Sequence, residues 1–365
     1  MSKRSEVLDL LNGKNTGRVP WFGDLSWYYD SLIRRGMLHD KYFGPKGEAN
    51  LYNDLGVGIY LYTPAVFETN YPENIRHTHE ASDKEIVQLF ETPVGSIKEV
   101  MTYSKSTWCY AYSKHFVEDI NDFRVMRYVH EHARYSANYQ GYIDRVKIWG
   151  DDGIGFAMGI ASMAPLHKLI ARWAGIETTM NLLCDYPDEI EEGITQIENS
   201  QRELITILSH CPAEVVIFPE NLSSDIIGEK LFLKYDMPYY QKTTSILHSA
   251  GKKVAIHIDG RLNPCLGYLS EAGFDIADAV TPEPFGDVPI SKLREVAGDK
   301  LIIWGGLPGS MFSPVYPDQM FHDHLVELLN HVDDKFVIGV ADQVPPDAKA
   351  ERIAHVREVI DRYIK

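Results

Sequence analysis

The chain has 365 residues, of which 44% are hydrophobic and 24% are charged, a composition typical of a globular protein. Its formal net charge of −16 excludes a nucleic-acid backbone as the expected partner, because such binding depends on clustered lysine and arginine. No stretch reaches the roughly 20 uninterrupted apolar residues that a membrane-spanning helix needs, and the charged N-terminus is unlike a signal peptide. We therefore expect a cytoplasmic protein with no membrane contact.

The N-terminal half begins with a predicted amphipathic helix around Val7 to Leu11, which forms an N-terminal extension. Three strands are then predicted, at 18–23, 56–62 and 153–159. Between the second and the third, residues 86–117 alternate in polarity around a polar turn at Ser104 to Ser106, so we predict an inserted β-hairpin there. A pair of long helices fits the pattern that follows, at 163–184 and 187–209.

The C-terminal half contains five short, apolar, β-branched runs, which suit a parallel sheet buried on both faces. These runs are 214–218, 253–257, 275–280, 300–306 and 335–340. Helical patterns separate them, and Gly251 and Gly273 end two of these helices. Alternating strands and helices predict βαβ units, and the count of eight strands predicts a single (β/α)8 TIM barrel over residues 1–365. An open doubly wound sheet is the alternative, but no GxGxxG follows the first strand.

Polar side chains follow several of the predicted strands, and in such a barrel functional groups lie at these strand ends. They are Asp24, Glu220, His257, Asp259, Glu283 and Asp342. Each one alone would more often cap the next helix, but the set is typical of a site. Strand alternation places His257 and Asp259 on one side, and histidine with carboxylates suits Zn²⁺, Mn²⁺ or Fe²⁺. A metal-free acid–base pair and a purely structural ion pair are the alternatives.

Aromatic residues are dense in the predicted loops near these strand ends, and this density favours a pocket for a flat or apolar ligand. We predict that Trp27, Tyr60 and Trp108 bind the substrate together with Asp24 and Glu283. Core packing is the alternative for much of the aromatic content.

A run of motifs along nearly the whole chain resembles the uroporphyrinogen decarboxylase superfamily. The motifs are RVPW, GFAMGIASMAPLHKL, EVVIFPENLSS, VAIHIDG, LIIWGGLPG and ADQVPPDA. The chain resembles the cobalamin-dependent methyltransferase branch more than the true decarboxylases, whose N-terminal RQAGR-type motif is replaced here by GDLSWYYDSLIRRG. The methyltransferase branch binds zinc through a His-x-Cys-Gly motif and a later Cys before Pro-Pro. His257 matches the histidine, whereas Asp259 and Asp342 stand at the two cysteine positions.

This resemblance implies a divalent metal, zinc above all, held by His257, Asp259 and Asp342 together with Glu220. Carboxylates in place of thiolates make a harder site, which favours oxygen or nitrogen substrates. The implied activity moves a methyl group between a small O- or N-methylated substrate and a corrinoid on a separate partner protein, with His257, Asp259 and Glu220 as catalytic residues. Members are often dimers, so a homodimer is also expected.

Two other functions remain open from the sequence. One is a metal-free decarboxylase or lyase that acts on a small carboxylated substrate, with His257 and Asp259 as acid and base. The other is a barrel that binds a corrinoid or a small ligand without catalysis.

Overall fold

The computed structural model describes residues 2–15, 17–159 and 162–363. Its main sheet has six parallel strands whose order in space follows their order in the chain. They are barrel strands three to eight: Phe156–Met158, Val215–Leu222, Lys253–Ile258, Ile276–Val280, Ile302–Pro308 and Phe336–Ala341. The last four of these are buried along almost their whole length, as expected for parallel strands that are covered on both faces.

Two short segments of the N-terminal half complete the barrel. Trp21 pairs in parallel with Ile338 of strand eight, and the neighbouring Phe22 pairs with Gly58. Ile59 in turn bridges Gly153, just before strand three, and backbone hydrogen bonds of 2.9–3.4 Å accompany these pairs. Segments 21–22 and 58–59 are therefore barrel strands one and two. The predicted (β/α)8 barrel is confirmed, and because strand one joins strand eight, the open doubly wound sheet is not the fold.

Helices cover the barrel and fill the connections between its strands. The α-helices are Lys3–Leu11, Ser26–Arg34, Gly47–Asp54, Ile120–His132, Gln140–Trp149, Pro165–Lys168, Gly175–Asp185, Pro187–Ser200, Arg202–His210, Ser224–Leu231, Met237–Ser249, Cys265–Tyr268, Leu293–Ala297, Asp318–Leu329 and Ala350–Tyr363, with π-helical turns at Leu169–Trp173 and Phe232–Asp236. No helix within the described ranges is both long and apolar enough to cross a bilayer.

The predicted helix pair is more broken than its sequence pattern indicated. The first predicted helix, 163–184, divides into Pro165–Lys168, the π-helical turn and Gly175–Asp185, because Gly175 has a φ of +75° that an ordinary helix does not allow. The second, 187–209, divides at Gln201 into Pro187–Ser200 and Arg202–His210.

The region predicted as a β-hairpin, 86–117, contains three of the four strands of a larger insertion. Four antiparallel strands, in chain order, form a separate sheet: Arg76–Ala81, Glu85–Thr92, Gly95–Ser104 and Cys109–Lys114. The polar turn predicted around Ser104 lies between the last two of these strands. The first strand, RHTHEA, was not predicted because it is polar and mostly exposed along both faces.

Large aromatic side chains fill the barrel interior. The rings of Tyr60 and Trp304 lie 4.6 Å apart between centroids, and Phe22 and Phe156 contact Trp304 at 5.4 and 5.2 Å. Val7, Leu10 and Leu11 of the N-terminal helix belong to the same buried cluster. Ala255 and Ile276 also face this interior, so alternation along strands five and six turns His257 and Asp278 inward as well, nearer the carboxyl ends.

Candidate active site at the barrel mouth

His257 lies between two carboxylates at the carboxyl end of the barrel. Its Nδ1 is 2.8 Å from Oδ2 of Asp278, and its Nε2 is 3.3 Å from Oδ1 of Asp342. His257 and Asp278 are paired residues in the parallel register of strands five and six, whereas Asp342 follows strand eight. Three strands thus bring one imidazole and two carboxylates together.

Asp278 is the functional candidate that the sequence reasoning missed. Its side chain is fully buried, and its Oδ1 accepts a 2.8 Å hydrogen bond from the hydroxyl of Tyr60 while Oδ2 faces His257. Both carboxylate oxygens are therefore satisfied, which a buried charge requires. The available signal was an aspartate inside the otherwise apolar run DIADAV, two residues after the inward-facing Ile276.

This geometry favours a protonated His257. Burial by itself lowers the pKa of His257, but the hydrogen bonds to Asp278 and Asp342 and the charges of these carboxylates outweigh it, so its pKa is raised well above the ordinary value. Asp342 is partly exposed, with 39% of its side chain accessible, so the group of His257 and its two carboxylates is open to solvent on the side of Asp342. His257 is therefore a positioned acid whose Nε2 proton faces the mouth.

Asp24 lies in the same network, because it contacts Gln343, the residue that follows Asp342. Its Oδ2 accepts a 2.7 Å hydrogen bond from the amide of Gln343, and that amide also lies 2.6 Å from the hydroxyl oxygen of Tyr62. Burial raises the pKa of Asp24 to about 6, in spite of opposing hydrogen bonds from Ser26 and Gln343, and the charge of Asp342 adds to the rise. Of the predicted substrate-binding residues, Asp24 and Tyr60 are thus part of the mouth.

Asp259 and Glu220 lie apart from His257 and Asp342. Asp259 follows the end of strand five, its carboxylate accepts a hydrogen bond from the N–H of Gly260, and its own N–H bonds to strand four. Glu220 is fully buried, and its Oε1 accepts a 2.9 Å hydrogen bond from the N–H of Ala164. The structure therefore brings together only two of the four predicted metal ligands.

Glu220 belongs to a second buried polar cluster, against helices rather than in the barrel interior. His167 and Asp236, from the segments after strands three and four, form a buried pair of 3.0 Å beside it. Burial raises the pKa of Glu220 to about 7, and the charge of Asp236 adds to the rise, whereas His167 and Lys168 oppose it. Strand four shifts its register between Phe218 and Leu222, so alternation does not carry this carboxylate to the mouth.

Three further predicted residues make no hydrogen bond or ion pair with His257, Asp278 or Asp342 in the described part of the chain. Trp27 is half-buried, and its indole nitrogen has no hydrogen-bond partner among the described residues. Trp108 is in the last turn of the inserted sheet, where its ring lies 5.7 Å from the guanidinium of Arg35. Glu283 is exposed in the loop after strand six, and no side-chain partner is seen for it in the described part of the chain.

The donors at the mouth fall short of a usual catalytic zinc site. His257 and Asp342 supply two ligands, and Asp278 would orient the histidine from behind, as carboxylates do in many zinc sites. A catalytic zinc normally has three protein ligands, and within residues 2–15, 17–159 and 162–363 no group of three His, Cys, Asp or Glu side chains is arranged to hold a metal ion. The metal site therefore stays a prediction.

Comparisons with known proteins agree with the barrel. Residues 152–363, more than half of the chain, match the family model "Uroporphyrinogen decarboxylase (URO-D)". A search of curated protein sequences finds no match. Among solved structures, a methyltransferase from Methanosarcina mazei aligns over 100% of both chains, with a TM-score of 0.63 and 15% identity, which is a likeness of fold.

Two methionine synthases are more distant in structure. A B12-independent methionine synthase from Shewanella sp. W3-18-1 has a TM-score of 0.49 and 10% identity, over 90% of this chain and 89% of that one. A putative vitamin-B12 independent methionine synthase from Listeria monocytogenes has a TM-score of 0.45 and 12% identity, over 94% and 96%. The match to the family model shows that the chain belongs to the uroporphyrinogen decarboxylase family.

Proposed function

We propose that the protein is a methyltransferase that moves a methyl group between a small O- or N-methylated substrate and a corrinoid protein. The single observation that carries the proposal is His257, held at the barrel mouth between Asp278 and Asp342. The fold shared with the methyltransferase from Methanosarcina mazei supports it.

The chemical difficulty in such a transfer is the leaving heteroatom. When the carbon–oxygen or carbon–nitrogen bond of the methyl donor breaks, its electron pair stays on the heteroatom, and the methyl group passes to the nucleophile that the corrinoid supplies. His257 gives the Nε2 proton to that heteroatom, so that a neutral product leaves. Asp278 and Tyr60 hold the imidazole in place, and Asp342 stabilises its charge on the open side.

The donors at the mouth support an oxygen or nitrogen substrate. Imidazole and carboxylate groups surround the reacting position. These donors are harder than thiolates, so they suit an oxygen or nitrogen substrate better than a thiol. A divalent metal bound by Nε2 of His257 and by Asp342 would take the place of that proton, and it would supply Lewis-acid chemistry to the same heteroatom instead. Elemental analysis of the purified protein tests that part of the proposal.

The test is an assay of methyl transfer from methoxyaromatic and methylated amine substrates to a Co(I) corrinoid. The absorbance change of the corrinoid measures the rate. We expect His257→Gln to lose about 10²-fold or more of the rate, as removal of a general acid usually does. The matched control is His248→Gln, because His248 forms a 2.8 Å pair with Asp275 at the opposite end of the barrel. This control should retain the wild-type rate.

Equal rates for His257→Gln and the wild type would contradict the proposed acid. If the wild type transfers no methyl group from any tested donor, the proposed methyltransferase function is contradicted. A barrel that binds a ligand without methyl transfer would then be favoured.

A decarboxylase is the second candidate, and one observation favours it. The acid at the mouth needs no metal, because the two carboxylate partners of His257 raise its pKa and so favour its protonated form. The same proton would then neutralise the carbanion left when CO₂ departs from a small carboxylated substrate. Release of CO₂ without methyl transfer would favour this activity.

A further inference from the structure

A cavity separate from the barrel mouth lies between the inserted sheet and two helical segments. Its volume is about 420 Å³, it opens to the surface, and it is bordered by the sheet, the helix Ile120–His132 and the residues around 168–173. This volume is in the usual range for a site that binds a small molecule. His257, Asp278 and Asp342 do not line it, so it is distinct from the proposed active site.

Aromatic rings form much of the cavity wall. Phe90 lies 5.5 Å from Phe116 and 5.3 Å from Tyr71 between ring centroids, and Trp173 lines the helical side. Rings at these distances present edges and faces to a flat, apolar ligand. An aromatic wall of this kind suits a ligand that contains an aromatic ring.

Basic side chains share the helical side of the cavity. Lys168 is only 2% exposed, and its ammonium lies 5.5 Å from the centre of the Trp173 ring. The guanidinium of Arg172 lies 3.5 Å from the hydroxyl of Tyr112, and in the described part of the chain it makes no ion pair with a carboxylate. His130 also lines this side, and its Nδ1 is buried without a hydrogen-bond partner among the described residues.

A single acidic residue faces these groups from the inserted sheet. Glu99 is 4% exposed, and its Oε1 accepts a 2.9 Å hydrogen bond from the amide of Gln88. Burial raises the pKa of Glu99 to about 7, although Gln88 and Arg172 oppose this, and burial lowers the pKa of Lys168 to about 7, although Glu220 opposes that. Burial therefore favours the neutral forms of both Glu99 and Lys168, whereas Arg172 keeps its positive charge on the helical side of the cavity.

We infer that this cavity binds a small aromatic carboxylate, with its ring between the aromatic walls and its carboxylate paired with Arg172 and Lys168. Arginine presents a planar pair of donors that matches a carboxylate. An aromatic amine could pair with Glu99, but it would meet the permanent positive charge of Arg172 in the same space. The balance of charge therefore favours an anionic ligand.

Calorimetric titration of the full chain with benzoate, benzamide and benzylamine tests the inference. We expect benzoate to bind at least about tenfold more tightly than benzamide, which keeps the ring and loses the charge. Arg172→Met should weaken benzoate binding by about tenfold or more. Arg202→Met is the matched control, because Arg202 is exposed on another helix and does not line the cavity; it should leave the affinity unchanged.

Met101→Trp provides an independent variant, because Met101 lines the cavity and a larger side chain there would fill it. We expect it to abolish benzoate binding, with thermal unfolding showing that it folds. His257→Gln should bind benzoate as the wild type does, which separates this cavity from the mouth. The inference is overturned if benzoate does not bind, if Arg172→Met and Met101→Trp bind it with wild-type affinity, or if benzylamine binds most tightly.

Discussion

Asp278 lies buried inside the barrel next to His257, and it was not among the predicted site residues. A carboxylate inside a core of aromatic rings is costly unless its oxygens are paired, and here Tyr60 and His257 pair both of them. Sequence reasoning found His257 and Asp342 because they follow strand ends, but it treated Asp278 as part of an apolar strand. The register that sets Asp278 beside His257 becomes visible only once the two strands are paired.

Asp278→Asn tests this arrangement through the pH dependence of the proposed reaction. An asparagine keeps the shape but removes a charge that raises the pKa of His257, so the pKa should fall. Activity that needs a protonated His257 is lost as pH rises through this pKa. We therefore expect the decline of kcat/KM in the variant to begin at a lower pH than in the wild type.

The control for that profile is Asp275→Asn, which changes the His248 pair at the other end of the barrel. Its pH profile should match that of the wild type. Identical profiles for Asp278→Asn and the wild type would show that Asp278 does not tune the acid.

At the scale of elements, four of the five strands of the C-terminal half were predicted within about two residues of their observed bounds, because burial on both faces gives a strong apolar signal, whereas the strand predicted at 214–218 extends to Leu222. The inserted sheet was predicted only in part, since a polar, exposed strand has no such signal. Asp259 and Glu220 show a related difficulty. Asp259 lies beyond the end of its strand, and Glu220 lies within a register shift, so period-two alternation does not apply to either residue.

Glu220 links two elements, because its carboxylate on strand four binds the N–H of Ala164, which precedes the helix Pro165–Lys168. Its pKa is raised from 4.5 to about 7, so the folded state holds a proton that the unfolded state releases between these values. The free energy of unfolding should therefore fall as pH rises through this window, by up to about 3 kcal/mol.

Glu220→Gln keeps an oxygen acceptor for Ala164 and removes this dependence. We expect the free energy of unfolding of the variant to exceed that of the wild type at about pH 8. The difference between the two should be smaller at about pH 5, and urea unfolding measures both values. Glu192→Gln, at an exposed position, should change neither value. A wild-type pH slope retained in Glu220→Gln would show that another group causes it.

On the scale of the whole molecule, the barrel depends on two very short strands whose backbones approach closely. A Cβ atom added at Gly58 would lie 2.4 Å from the ring of Phe22, which is itself held by Tyr60 and Trp304. The closure therefore requires a glycine at this position. The sequence pattern predicted a strand here, but not this steric limit.

Gly58→Ala should lower the free energy of unfolding by about 1–3 kcal/mol, the usual cost of overpacking a core. The contrasting control is Gly267→Ala, in the helix Cys265–Tyr268, where the nearest atom to an added Cβ is 3.5 Å away. That change should be neutral or stabilising by about 0.5–1 kcal/mol. Urea unfolding of both variants measures the difference, and equal stability would contradict the steric argument.

The pairing of strand one with strand eight also constrains how the protein is made. The N–H of Phe22 donates a hydrogen bond to the carbonyl of Ile338, more than 300 residues later in the sequence, so one edge of strand one has no partner while the ribosome synthesises the residues between them. Trp21 and Phe22 are almost fully buried in the finished barrel but cannot be covered on that side in the nascent chain. The barrel can therefore close only after residue 338 has been synthesised, and an exposed strand edge is the hazard of that interval.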